Sequence, residues 1–243
     1  MLGYRDLELR RQAIELTKGS IDAGHALGAS ALVVHPGVVP HDDTPAGPSG
    51  LAGEAYDVEL KRRWLAFGKD SPEYLSLFEE FVEYRRTRMT GELTRIIGSL
   101  EVLANYILQK NIPMRIGLEN RPMCFQIPNF VEMRQLTDAL AGAPVGMWFD
   151  TGHGAMQRHM GFFDDAAESL SLADRLVGMH IHDVIGVDDH FSPYTREGLD
   201  AYLELIRRSP IKVIELGKKN SADDIITGMR RLQKALAGRP VTP

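Results

Sequence analysis

Five short apolar runs in this sequence each end in an ionisable residue, and this repeated feature constrains the fold most strongly. The runs occupy residues 31–35, 114–119, 145–150, 176–180 and 211–215, and their last residues are His35, Glu119, Asp150, His180 and Glu215. Continuous apolar runs of this length are typical of strands that are buried on both faces of a parallel sheet. Because parallel strands end at the same edge of a sheet, we expect the five terminal side chains to lie near one another.

The second half of the sequence alternates regularly between strand and helix patterns. Helices are predicted at about 129–141, 164–175, 197–208 and 222–237. Each follows one of the last four apolar runs, and successive run ends are separated by about 30 to 35 residues, the length of one βα unit. This alternation predicts an α/β fold with right-handed crossovers, of the (β/α) TIM-barrel type.

The first half of the sequence departs from this alternation. A helix is predicted over about 6–27, and a loop rich in Gly, Pro and Asp over about 38–53. A long helical stretch is predicted over about 71–110, with Thr90-Gly91 as a point where it could break. Since the loop follows a strand end, we expect it to lie over the mouth of the site.

The number of strands falls short of a complete barrel. Five strands are visible, whereas the TIM barrel has eight. We therefore predict a single domain over 1–243, a barrel that is incomplete at its N-terminus and carries a long helical and loop insertion at about 38–112. Either the first three βα units are missing by truncation, or the sheet closes against a second copy. Because open parallel edges promote association, we expect a homo-oligomer.

Composition and charge weigh against several classes of protein. The formal net charge of −5 weighs against a nucleic-acid partner, which normally requires a basic surface. No apolar run has the length of a membrane span, and the first residues carry no apolar signal core. The single cysteine, Cys124, excludes an internal disulfide framework and favours a reducing cytoplasm. We expect Cys124 to act as a small buried hydrophobe.

Four of the terminal residues form a chemically coherent set. Three carboxylates, Glu119, Asp150 and Glu215, would repel one another if they were close, unless they were protonated or bound to a cation. Together with His180 they are suitable ligands for Mn²⁺, Zn²⁺, Co²⁺ or Mg²⁺, without selecting among them. The alternative is that each is a strand-end charge that meets solvent. His182 competes with His180 as the ligand, because the two share one face of a strand.

Additional polar residues follow the strand ends. His153 lies three residues beyond Asp150, in a predicted βα loop, where it could bind substrate or a second metal. Asp188 and His190 offer another carboxylate–imidazole pair, although a polar surface turn would explain them equally well. Three other histidines lack such a context, and we expect them to be structural or solvated; they are His25, His41 and His159.

Together these residues resemble the xylose isomerase-like TIM barrels. That superfamily includes sugar and sugar-phosphate isomerases and epimerases, and the endonuclease IV group of AP endonucleases. Six segments in family order carry the resemblance over about residues 5–235: 35–37, 117–120, 149–153, 178–183, 188–190 with Glu197-Gly198, and 213–215.

The isomerase and epimerase branch implies one divalent metal held by Glu119, Asp150, His180 and Glu215. In that branch Glu119 and Glu215 would also be the acid and base that move a proton next to a carbonyl of a small carbohydrate. His153 would hold a substrate hydroxyl.

His35 and His182 are further candidates for binding the substrate. The endonuclease IV branch instead implies additional metal ligands at His35, His153, Asp188 and His190, for zinc-dependent hydrolysis of abasic DNA. A third hypothesis is a degenerate metal-binding barrel without catalysis. The residues alone do not decide among these functions.

Overall fold

The structure is a computed structural model that describes residues 1–39 and 45–241. Within these residues the strands are β1 (Ala31–Val34), β2 (Gly37–Val38), β3 (Arg115–Glu119), β4 (Gln126–Ile127), β5 (Val145–Asp150), β6 (Leu176–Ile181), β7 (Asp183–Ile185), β8 (Asp188–Phe191) and β9 (Lys212–Ile214). The α-helices are α1 (Leu7–Ala26), α2 (Glu54–Phe67), α3 (Pro72–Gln109), α4 (Phe130–Ala139), α5 (Thr151–His159), α6 (Asp165–Ser171), α7 (Leu203–Arg208) and α8 (Ala222–Leu236). Short 3₁₀ helices lie at Ala173–Arg175 and Asp200–Tyr202.

Five parallel strands form the main sheet, in the order β1-β3-β5-β6-β9. All five were predicted from the apolar runs to within one or two residues, and their parallel pairing is confirmed. Glu119 pairs with Trp148, and Asp150 pairs with His180, so the polar strand ends lie at one edge. In the described residues β1 and β9 each pair with one neighbouring strand, so the fold is the predicted incomplete barrel.

The main hydrophobic core lies between the sheet and its helices. Met147 and Phe149 of β5 and Met179 of β6 are fully buried in it. Helix α3 contributes a continuous apolar face whose buried residues are Met89, Leu93, Ile96, Leu100, Leu103 and Ile107. Burying each such side chain stabilises the fold by about 1.5–3 kcal/mol.

Helix α3 begins as the sequence predicted. The Ser71 side chain accepts a hydrogen bond from the Tyr74 amide, and Pro72 occupies the first turn. The possible break at Thr90-Gly91 was wrong, because the helix continues through both residues. A single glycine costs a helix only about 1 kcal/mol, and the buried face on both sides of Gly91 outweighs that cost.

The segment from 38 to 112 holds α2 and α3, which share a second, smaller core with the end of α5. Its fully buried members include Tyr56, Leu60 and Phe81, and Cys124 packs there as the buried hydrophobe that the sequence predicted. Residues 40–44 of the predicted loop, including His41, lie outside the described residues. No helix in the described part of the chain combines the length and apolarity needed to cross a bilayer.

Helix α5 corrects the sequence prediction. The segment after Asp150 was predicted to be a loop, but Thr151–His159 is helical and begins directly at the strand end. Gly152 and Gly154 lower the intrinsic helix propensity of this segment. Both are needed for close approach: a Cβ on Gly152 would lie 2.0 Å from the His182 ring, and one on Gly154 would lie 2.8 Å from Asp165.

The remaining helix predictions differ in extent. Helices α1, α4 and α8 lie within the predicted ranges, whereas α6 and α7 are shorter and each adjoins a 3₁₀ turn. Two antiparallel pairs, β2 with β4 and β7 with β8, were not predicted. Their strands are only two to four residues long, too short to show a periodic pattern.

Trp148 fills the space between three strands of the sheet. Its side chain is almost completely buried and lies against glycines on the two neighbouring strands. A Cβ on Gly117 would lie 3.0 Å from the Trp148 side chain, and a Cβ on Gly178 would lie 2.2 Å from it. The Trp148 ring also meets the His180 ring edge-on at 5.1 Å, so it supports a residue of the site.

Replacing Gly178 with alanine tests this packing. Because the new methyl group would overlap the Trp148 ring, we expect the free energy of unfolding to fall by about 1–3 kcal/mol in urea titrations. Gly19→Ala in α1 is the matched control, since a Cβ there would meet no atom within 4 Å outside its own stretch of helix. The control should be neutral or slightly stabilising. Equal stability of Gly178→Ala and the wild type would contradict the packing described here.

Candidate metal centre

The four predicted ligands converge at one edge of the main sheet. Glu119 ends β3, Asp150 ends β5, His180 lies near the end of β6, and Glu215 follows β9. Each offers one ligand atom, and these four atoms lie within 4.8 Å of one another. Glu119 and Asp150 are buried, while the Glu215 side chain is 41% exposed. The site is therefore closed beneath and open at the Glu215 side.

His180 occupies the centre of the carboxylates. Its Nδ1 lies 2.6 Å from Glu119 Oε1, 2.8 Å from Glu215 Oε2 and 3.6 Å from Asp150 Oδ2. Burial alone would lower the pKa of His180, but the contacts with Asp150 and Glu119 outweigh it and raise the pKa to about 10. The imidazolium thus supplies positive charge among three carboxylates.

The donor set fits a divalent cation. Three carboxylates and one imidazole gathered within 4.8 Å are oxygen and nitrogen donors that Mn²⁺, Co²⁺, Zn²⁺ and Mg²⁺ accept. A divalent cation would offset the repulsion among the three carboxylates, as the His180 proton does in its absence. The imidazole nitrogen would then lose its proton and coordinate the metal.

Arg121 was not predicted from the sequence. Its Nη1 donates to Glu119 Oε2 and lies 2.8 Å from His35 Nε2, and His35 Nε2 is itself 2.5 Å from Glu119 Oε2. His35 therefore lies beside the group of Glu119, Asp150, His180 and Glu215, which we call the first cluster. Burial would raise the pKa of Glu119, but hydrogen bonds with His180 and His35 lower it to about 2. The position of Arg121, two residues after a predicted ligand, was the available sequence signal.

Hydrogen bonds fix both the carboxylate and the backbone of Asp150. Its Oδ1 accepts a hydrogen bond of 2.8 Å from the His153 amide, which makes Asp150 the N-cap of α5. The Asn120 side chain bridges the strand ends, donating to Asp150 O at 3.0 Å and accepting from Asp150 N at 2.7 Å. Against the effect of complete burial, the neighbouring histidines 153, 182 and 180 hold the pKa of Asp150 well below its ordinary value.

Three histidines form a second cluster next to the first. His153, His182 and His190 each place a ring nitrogen within 4.8 Å of the other two. His153 Nδ1 donates to the Asn120 carbonyl at 3.0 Å, and burial lowers the His153 pKa. The His190 Nδ1 lies 2.6 Å from Asp189 Oδ1, and this hydrogen bond raises the pKa of His190.

The set predicted for a second metal is not brought together as a unit. His35 contacts Glu119, and Asp188 turns outward, with a side chain that is 66% exposed and an ion pair with Lys219 at 2.5 Å. Its neighbour Asp189 faces the histidines instead, 3.7 Å from His153 Nε2. Adjacent residues of a strand point to opposite faces, so the sequence could not decide between the two aspartates without the register of β8.

Residues 180–183, which run from the end of β6 into β7, face three different environments. His180 faces the carboxylates, and His182 is fully buried with its Nε2 2.9 Å from Asp150 Oδ1. The Asp183 carboxylate accepts from the Arg196 and Gly198 amides at 2.8 and 3.2 Å, so it holds a loop. His25 is exposed and His159 Nε2 lies 2.8 Å from Glu197 Oε2, in agreement with their predicted solvated and structural roles.

The pKa shifts predict how the metal-free protein responds to pH. His180 has a pKa raised from 6.5 to about 10, so its contribution to stability is complete below pH 6.5 and is lost as the pH rises through 10. Glu119 has a pKa lowered from 4.5 to about 2, so its contribution is lost as the pH falls through 2. We expect the free energy of unfolding of chelator-treated wild-type protein, measured in urea, to fall as the pH rises from 6.5 through 10. The fall should be smaller in His180→Gln, which lacks the titrating imidazole. Identical pH profiles for the two proteins would contradict this assignment.

Comparison with known proteins gives the family. The family described as xylose isomerase-like TIM barrel matches residues 1–235. A D-tagatose 3-epimerase-like protein is similar in structure, with a TM-score of 0.62 and 17% identity over 97% of this chain and 72% of that one. The 3-keto-D-glucoside 4-epimerase YcjR from E. coli has a TM-score of 0.62 and 15% identity over 96% of this chain and 74% of its own.

A third similar structure is the IOLI protein with a bound zinc atom, at a TM-score of 0.62 and 16% identity, covering 100% of this chain and 75% of that one. At such identities these likenesses show a shared fold. No curated protein matches the sequence with significance. Because the family match spans nearly the whole sequence, the chain belongs to the xylose isomerase-like TIM barrel family.

Proposed function

We propose that this protein is a divalent-metal-dependent isomerase or epimerase that moves a proton next to the carbonyl of a sugar, a sugar phosphate or a similar polyol-derived substrate. The observation that carries the proposal is the convergence of Glu119, Asp150, His180 and Glu215 at one strand edge. The sugar epimerases among the similar structures, and the zinc in IOLI, support it.

Within this proposal Glu119 and Glu215 are the acid and base. Both carboxylates reach the same His180 nitrogen, at 2.6 and 2.8 Å, so both border the space that a substrate carbon would enter. One carboxylate removes the proton beside the carbonyl, and the other returns a proton. A bound divalent cation would polarise the substrate oxygen. Glu119 is fixed by Arg121 and His35, while Glu215 lies at the open side.

We also propose that two histidines hold substrate hydroxyls. His153 is fixed in one orientation by the hydrogen bond from Nδ1 to Asn120 O, which leaves Nε2 facing Asp189 Oδ2 at 3.7 Å. His35 has a side chain that is 55% exposed, next to Glu119. His182, the third substrate-binding candidate from the sequence, is fully buried against Asp150.

One observation favours the alternative of a zinc phosphodiesterase. The second cluster of His153, His182 and His190 could hold additional metal, as a multinuclear hydrolase requires. The net charge of −5 argues against DNA as the substrate, because phosphate backbones are bound mainly by cationic surfaces. Metal analysis of the purified protein distinguishes the functions: one divalent ion per chain favours the isomerase, two or three zinc ions favour the nuclease, and none favours a degenerate barrel.

Metal binding should stabilise the protein measurably. An ion at 100 times its dissociation constant adds about 2.7 kcal/mol to the free energy of unfolding. We therefore expect Mn²⁺ or Co²⁺ to raise the melting temperature of chelator-treated protein, and His180→Gln to abolish most of the increase. An equal increase in His180→Gln would place the metal elsewhere.

Replacing Glu215 with glutamine tests the acid and base roles. Because the glutamine amide cannot accept the proton, we expect the turnover of a set of ketose sugars to be about 10²–10⁴-fold lower in Glu215→Gln than in the wild type. In D₂O the wild-type product should carry deuterium at the carbon next to the carbonyl, detected by NMR.

The matched control is Glu204→Gln, which alters an exposed glutamate of α7 whose ion-pair partner within residues 1–39 and 45–241 is Arg208. It should leave turnover unchanged. Retained turnover in Glu215→Gln, or wild-type product without deuterium, would contradict the proposed mechanism.

A further inference from the structure

We infer that His182 is a positioning residue that fixes the Asp150 carboxylate for metal binding. The inference rests on the proposed function, because it assigns a role toward the same metal centre. His182 lies two residues after the predicted ligand His180 but does not face the Glu119 and Glu215 carboxylates. Its ring is instead enclosed between Asp150 and the β7–β8 segment.

The hydrogen bonds of the ring determine which nitrogen carries the proton. The His190 amide donates to His182 Nδ1 at 2.9 Å, so Nδ1 must present a lone pair. The only other contact of Nδ1 among the described residues, with the Asp183 carbonyl, is longer at 3.4 Å. The proton therefore lies on Nε2, which donates to Asp150 at 2.9 to 3.0 Å. His182 thus orients the carboxylate through its Nε2 donor.

The packing prevents the ring from turning away. His182 is 0% exposed, and its ring lies so close to Gly152 that a Cβ there would be 2.0 Å from it. The Thr151 hydroxyl donates to His182 O at 2.7 Å and lies 3.0 Å from His182 N, which fixes the backbone of the residue. Only glycine at position 152 allows the ring to reach Asp150.

The donor to His182 is also held rigidly. His190 has a positive φ of 60°, a conformation that costs energy for a residue with a Cβ and is retained where surrounding contacts enforce it. Its carbonyl accepts from the Gly217 amide at 2.9 Å and from Asn220 Nδ2 at 2.7 Å. These contacts hold His190 in its strained conformation. That conformation directs the His190 amide at His182 and so connects β8 to Asp150.

Two substitutions separate positioning from packing. In His182→Gln the side-chain amide nitrogen can replace Nε2 and still donate to Asp150. In His182→Asn the shorter amide can replace only Nδ1, so the contact with the His190 amide is kept and the donor to Asp150 is lost. We expect His182→Asn to weaken Co²⁺ binding by about 10–100-fold, the range found for residues that orient metal ligands.

The measurement is a Co²⁺ titration of the full chain followed by visible absorption, with melting temperatures of the chelator-treated proteins. Support requires that His182→Gln keeps the wild-type spectrum and most of the affinity, while His182→Asn loses affinity and changes the spectrum. Equal affinities in both variants and the wild type would overturn the inference. So would equal losses in both variants with equally lowered melting temperatures, since that result shows packing alone.

Failure of the proposed function would look different. If the wild-type protein bound no divalent ion, the metal-dependent function would be wrong, whatever His182 does. The ring of His182 can then be examined by ¹⁵N NMR in the metal-free protein, with the signal assigned by its loss in His182→Gln. A proton on Nε2 and none on Nδ1 supports the positioning role, and a proton on Nδ1 overturns it.

Discussion

The repulsion among three carboxylates at one sheet edge is the constraint on which the rest of the site depends. Parallel pairing places Glu119, Asp150 and Glu215 together, and burial of the first two removes the water that would screen them. Positive charge on His180 offsets the repulsion in the metal-free protein, assisted by Arg121 at Glu119. A divalent cation would do the same with more charge, and this is why we propose these residues as a ligand set.

Five strands are sufficient to build this centre because every predicted ligand comes from one contiguous part of the barrel. Strands β3, β5 and β6 carry three of the predicted ligands and Glu215 follows β9, while β1 brings His35 to the side of Glu119. Trp148, held between Gly117 and Gly178, fills the sheet beneath His180. The centre is therefore supported from below by packing and from the side by α5, whose first turn binds Asp150.

The sequence predicted the strands and the convergence of Glu119, Asp150, His180 and Glu215 because both follow from short local patterns. An apolar run that ends in an acid or a histidine is visible without knowledge of the partner strands. Three features close to the site escaped it, each for a physical reason. Helix α5 contains two glycines that tertiary packing requires, the choice between Asp188 and Asp189 depends on register, and Arg121 matters through contacts that only the folded strand ends create.

The central claim is that a divalent ion binds at Glu119, Asp150, His180 and Glu215. X-ray diffraction from zinc-soaked crystals, recorded on both sides of the zinc absorption edge, tests it most directly. The account predicts one strong anomalous peak at about 2.0–2.2 Å from carboxylate oxygens of this group and from a His180 nitrogen. A peak between His153 and His190 with none at Glu119, or no peak near either cluster, would contradict it.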